Sequence, residues 1–107
     1  MDFEALVGWQ MVILNKKALA IFSLKHADAR RSIATWVKAT EEANWRTKQD
    51  VFTTFANAKF VANNRARFEI VHNKYRLIAE VLYDDGVVQV RFIGTHNEYD
   101  KIDPSTI

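Results

Sequence analysis

At 107 residues the chain has room for one compact core and not for two ordinary domains, so its work is done by a single small domain. It is 49% apolar and 12% aromatic with three glycines and one proline, which excludes a disordered chain, and it has no cysteine, which excludes disulfides, thiolate nucleophiles and cysteine zinc sites. A net charge of +2 excludes little by itself, but the sign is segregated: Asp2, Glu4, Glu41, Glu42 and Asp50 collect early, whereas "KFVANNRARFEIVHNKYR" sets Lys59, Arg65, Arg67, Lys74 and Arg76 against Glu69.

The opening "MDFEALVGWQ" is acidic, unlike a secretory signal, and no apolar run approaches the roughly 20 residues that span a bilayer. A cytoplasmic protein with no membrane partner is expected, with residues 1–10 as an extension and 11–107 as the domain. "MVIL" from Met11 reads as a buried first strand, and Asn15 is placed to cap a helix over "NKKALAIFSLKH", whose Ala18, Leu19, Phe22 and Lys25 recur at helical intervals. Asp28 is placed to cap a second helix, "ARRSIATWVKATEEA", with Ile33, Trp36, Val37 and Thr40 on one side and Arg30, Arg31, Lys38 and Glu41 on wetter ones. Thr47 with Asp50 has the form of a capping box before "KQDVFTTF", after which "ANAK" and "ANN" read as loop. Trp9, Trp36 and Trp45 are expected to pack, although an exposed one can stack a base.

From Asn64 the period becomes two. Ala66, Phe68 and Ile70 alternate with Arg65, Arg67 and Glu69; a two-residue turn at His72-Asn73, with Asn73 at positive φ, returns the chain as "KYRLIAEVLY". Asp84-Asp85-Gly86 makes the next turn, and "VVQVRFIG" places Val88, Val90 and Phe92 opposite Gln89, Arg91 and Ile93. The fold class is α+β: a strand, two or three helices, then an antiparallel three-strand meander with the helices on one sheet face. Arg67, Arg76 and Arg91 then share the other face.

Thr95 and Glu98 form a capping box that starts a helical turn after Gly94, leaving His96 and Tyr99 three residues apart at the edge of that face. RNA is cleaved without metal when one group takes the 2′-hydroxyl proton, another protonates the departing 5′-oxygen, and cations hold the charge of the transition state. Histidine, tyrosine and arginine supply those parts. Plainer readings stand beside this one: His96 as a surface histidine, Tyr99 as a core-edge residue, and the arginines paired with Glu69, Glu80 and Asp100 at roughly 0.2–1 kcal/mol each. His26 and His72 read as solvated, and His96 with Asp100 lacks further ligands for a metal.

The stretch "NKYRLIAEVLYDDGVVQVRFIGTHNEYDKID" resembles the C-terminal half of HigB-type toxins, RelE-like members of type II toxin-antitoxin pairs, and the likeness extends more loosely over most of Met11 to Asp103. Ala27 stands where family members commonly have proline. The resemblance implies a RelE-like fold and a ribosome-dependent messenger-RNA endonuclease, an mRNA interferase, that cuts without metal or other cofactor. It further implies a HigA-type helix-turn-helix antitoxin as partner, with DNA engaged only through it. The matched positions are Asn73, Arg76, Arg91, His96, Tyr99 and Asp100. Charge logic assigns Arg76, Arg91, His96 and Tyr99 to catalysis, and Arg65, Arg67, Asn73 and Lys74 to RNA binding. The competing classes are a non-catalytic module that blocks translation by occupying RNA or ribosome, and a structural partner that docks an acidic protein on the basic face.

Overall fold

The computed structural model describes residues 10–107, so Trp9 and all but the last residue of the expected N-terminal extension lie outside the described residues. In chain order the elements are β1 (Val12–Leu14), α1 (Lys16–Lys25), a 3-10 turn (Ala27–Ala29), α2 (Arg30–Glu42), α3 (Lys48–Thr54), β2 (Lys59–Val61), β3 (Arg65–Ile70), β4 (Tyr75–Leu82), a second 3-10 turn (Tyr83–Asp85), β5 (Val87–Thr95) and α4 (His96–Tyr99). The sheet runs β1-β5-β4-β3-β2; β1 is parallel to β5 and every other pair is antiparallel. The α+β class and the meander expected from the sequence are therefore present, inside a mixed five-stranded sheet.

The helices form where one stripe can be buried. In α2 the buried positions are Ile33, Trp36 and Thr40, one helical repeat apart, and in α1 they are Leu19 and Phe22. Both dock on the sheet face made by Ala66, Phe68, Ile70, Leu77, Ala79, Val81, Val88 and Val90. At its centre Phe68 is 1% exposed and meets Trp36, Trp45 and Phe55 at ring separations of 5.4, 6.1 and 5.3 Å. Burying one such ring stabilises the fold by roughly 1.5–3 kcal/mol. Trp45 closes the layer, its indole N–H donating to Thr54 Oγ1 at 2.9 Å. The capping boxes expected at Thr47–Asp50 and Thr95–Glu98 are both formed.

Five local expectations are corrected. Asn15 takes a left-handed conformation (φ 67°) and does not cap α1; its Nδ2 donates to the Val90 carbonyl at 3.0 Å, tying the helix to β5. Asp28 does not cap α2 but accepts hydrogen bonds from Tyr75 and Lys74. "ANAK" is not wholly loop: its Lys59 opens a short edge strand, Lys59–Val61, against β3. The β3–β4 connection has four residues, with Ile70 paired to Tyr75, and the positive φ values fall on Val71 (53°) and His72 (57°), not on Asn73. Finally, β5 carries a bulge: Phe92 pairs with Ile78 and Val90 with Ala79, so Arg91 is the extra residue. Beyond the bulge the alternation reverses, turning Phe92 onto the arginine face and Ile93 toward the core.

Candidate active site

In an antiparallel ladder, residues opposite one another share a face. Register therefore places Arg65, Arg67 and Glu69 of β3 on one side with Arg76, Ile78 and Glu80 of β4 and with Gln89, Phe92 and Gly94 of β5. β2 adds Lys59 opposite Arg67. This is the sheet face turned away from the three longer helices. Ile78 is fully buried there, outside the main core, and floors the site.

The capping box bends the chain sharply at Thr95 and lays α4 back over the end of this face. The Tyr99 ring then receives the guanidinium of Arg76 at 4.8 Å and that of Arg67 at 5.9 Å, with the Phe92 ring at 6.3 Å. Each such cation–ring contact is worth roughly 0.5–2 kcal/mol. Arg67 and Arg76 make no ion pair among the described residues, and the Nε–H of each is buried without an acceptor. Two half-buried guanidinium groups that meet on one ring carry the chemistry to receive an anion with several oxygens.

His96 begins α4 one turn before Tyr99 and is half-buried. Its Nε2 hydrogen-bonds the main-chain carbonyl of Asn73 in the β3–β4 turn. A carbonyl can only accept, so Nε2 carries the hydrogen and Nδ1 is the nitrogen left to exchange a proton. Glu98 is held below the usual carboxylate range, first by the Thr95 backbone N–H and then by its hydroxyl, so it serves as a cap.

The remaining predicted residues lie as follows. Arg91 shares the face, but its Nε and Nη2 donate to Glu80 Oε1 at 3.1 and 2.6 Å, so its charge is largely neutralised. Arg65 is 8% exposed, and its fork is committed to the main-chain oxygens of Asn63 (3.0 Å) and Ile107 (2.7 Å). Lys74 Nζ pairs with Asp28 at 2.6 Å, beside the core-facing Tyr75. That contact and the Tyr75 hydroxyl hold Asp28 below the usual carboxylate range, while burial and the same carboxylate push Tyr75 up. Asn73 contributes its carbonyl. Of the pairings weighed from sequence, Glu80–Arg91 forms; Arg67 and Arg76 pair with neither Glu69 nor Asp100. Lys59 and Phe92 were missed: β2 is too short to show a period, and the bulge inverts the one that would place Phe92.

The hollows lined by Phe55, Ala58 and His72 and by Phe22, Ile93 and Glu98 touch this face only at its borders, through Glu69 and Phe92. Among the described residues no three His, Cys, Asp or Glu side chains gather as a metal shell would require.

Residues 29–102 match the family model of the HigB toxin, described as the RelE-like toxic component of a toxin-antitoxin system. The chain belongs to the HigB-type toxins. The match covers more than half of the chain and runs from the residue before α2 to just beyond α4, so it spans every arginine, histidine and tyrosine of the face described above. A HigB-type toxin is one half of a pair, so an antitoxin partner follows from membership. No curated protein sequence matches the chain significantly. Among the described residues no helix of this HigB-type toxin is long and apolar enough to cross a membrane.

Proposed function

We propose that this HigB-type toxin is a ribosome-dependent messenger-RNA endonuclease that cuts without metal, arrests translation in the cytoplasm, and is restrained by a HigA-type helix-turn-helix antitoxin through which alone it engages DNA. The observation that carries the reading is the convergence of Arg67 and Arg76, neither ion-paired among the described residues, on the ring of Tyr99. In the proposed reaction the 2′-oxygen attacks the adjacent phosphorus, the bond from phosphorus to the 5′-oxygen breaks, and a 2′,3′-cyclic phosphate and a 5′-hydroxyl result. Arg76 and Arg67 take the charge that grows on the non-bridging oxygens. His96, through Nδ1, exchanges the proton, and Tyr99 orients the phosphate and shares the transfer. Arg91, already paired with Glu80, completes the cationic rim. Lys59 and Asn73 border the path of the strand.

Arginine's planar fork, not its charge alone, is what the face exploits. On ribosomes programmed with a defined message, Arg76→Lys is expected to lower the cleavage rate by about 100-fold, the scale of losing one preorganised oxyanion donor. His96→Ala is expected to relieve growth arrest at equal protein abundance while the fold and antitoxin capture persist. Undiminished cleavage by Arg76→Lys together with full toxicity of His96→Ala would remove both residues from the mechanism, whereas arrest by the parent with no new message ends would leave a toxin that acts by occupancy.

A further inference from the structure

Several features of the molecule are left unused by the proposed chemistry, and three of them meet at one place. Val71 is β-branched yet sits at φ 53°, a true outlier for valine, and His72 follows it in the left-handed region at 57°. Such a turn persists only where its surroundings over-determine it. They do so here from the helix side of the sheet. The Val71 N–H donates to Ser32 Oγ of α2 at 3.0 Å, fixing the first residue of the turn. Asp28 receives Lys74 Nζ at 2.6 Å and the Tyr75 hydroxyl at 2.8 and 3.0 Å, fixing the last residue and the one after it. The Lys74 N–H closes the turn on the Val71 carbonyl at 3.0 Å. Between these anchors stands Asn73, whose carbonyl holds His96 Nε2.

We infer that Ser32, Asp28 and Lys74 are positioning residues for His96: from the far side of the sheet they clamp a strained turn so that the Asn73 carbonyl fixes the imidazole's tautomer and orientation and leaves Nδ1 toward the substrate. The inference rests on the nuclease reading for its purpose, but its physical content stands apart from that reading. A catalytic ring must be held within about 0.5 Å of its productive place by neighbours that are themselves fixed, and a displacement of about 1 Å costs on the order of 100-fold in rate. The sequence motif "NKYR" thereby acquires a second meaning. Lys74 and Tyr75 anchor the turn and Asn73 holds the histidine, while Arg76 alone points to the arginine face.

The test uses the full chain labelled with 15N-histidine and compares the parent with Lys74→Met, Lys74→Arg and Asp28→Asn. The parent is expected to show a His96 Nε2–H resonance protected from exchange with water at neutral pH. Lys74→Met and Asp28→Asn are expected to lose that resonance and to lower kcat for message cleavage on ribosomes about tenfold or more at unchanged KM, with Lys74→Arg restoring both. A Lys74→Met variant that keeps the resonance and instead raises KM would overturn the clamp and return Lys74 to the RNA backbone. If the resonance responds as described while the parent itself cuts no message, the nuclease reading fails and the clamp stands.

Discussion

Gly94 lies opposite Arg76, one residue before the end of β5, where α4 bends back over the sheet. A methyl group there would sit 2.6 Å from Cζ and 3.2 Å from Cε2 of Phe92, and 3.1 Å from Cβ of Glu98. Carbon atoms rest at about 3.5–4.0 Å, so Gly94→Ala requires the Phe92 ring to move by roughly 1 Å and α4 by a few tenths. Both carry Tyr99 with them, because the Phe92 ring packs on it and Glu98 precedes it in the helix. Overpacking of this size is expected to cost about 1–3 kcal/mol of stability. Displacing the ring on which Arg67 and Arg76 rest is expected to lower cleavage by about 100-fold. The assay is a urea midpoint beside single-turnover cleavage on programmed ribosomes. In a Phe92→Ala background the obstructing ring is gone, so adding Gly94→Ala is expected to cost much less stability than it does alone, a coupling a double-mutant cycle reads directly. An unchanged midpoint and rate for Gly94→Ala alone would show that Phe92 does not cover this glycine and that α4 is not seated as described.

Phe68→Ala empties the centre of the aromatic cluster and is expected to lower stability by about 3–5 kcal/mol in urea unfolding; a loss under about 1 kcal/mol would contradict a core organised around that ring. Asp28 (held by Lys74), Asp50 (by the Arg46 backbone N–H), Glu98 (by the Thr95 backbone N–H) and Asp103 (by the Ser105 hydroxyl) all have carboxyls below their ordinary values. Depressed carboxylates contribute stability that is present above their unfolded values near about 4 and is lost as pH falls through the folded ones. The urea midpoint is therefore expected to hold between about pH 7 and 5 and to drop below about pH 4, and a midpoint that rises on acidification would contradict the assignment. Glu80→Gln removes the carboxylate that occupies Arg91, so binding to single-stranded RNA is expected to gain up to one phosphate contact and its log-log salt slope to steepen by about 0.7; an unchanged slope would mean Arg91 does not face the strand.

The meander was legible because its strands alternate over six or more residues, long enough for period two to outvote local exceptions, and the same alternation put Arg67, Arg76 and Arg91 on one face. The capping boxes were legible because Thr and an acid three residues apart leave few other structural uses. What failed to show did so for physical reasons. A three-residue edge strand such as Lys59–Val61 has no period to read. The bulge at Arg91 is one extra residue, invisible unless the partner strand is known, and it inverts every inward or outward assignment after it. The partners of Arg65, Lys74 and Asp28 lie 42 and 46 positions away along the chain, so composition marked these residues as charged and only tertiary contact shows which groups they meet. Only the fold separates Arg67 and Arg76, without ion-pair partners among the described residues, from arginines already satisfied.

We propose that the arginine and tyrosine face, with its fixed histidine, breaks RNA. Purified protein added to ribosomes carrying a defined message, in the presence of a chelator, tests it most directly when the new ends are mapped and their chemistry identified. Discrete cuts at the decoding position bearing a 2′,3′-cyclic phosphate and a 5′-hydroxyl, absent with His96→Ala, are the predicted result. Arrested translation on a message that stays intact would contradict it.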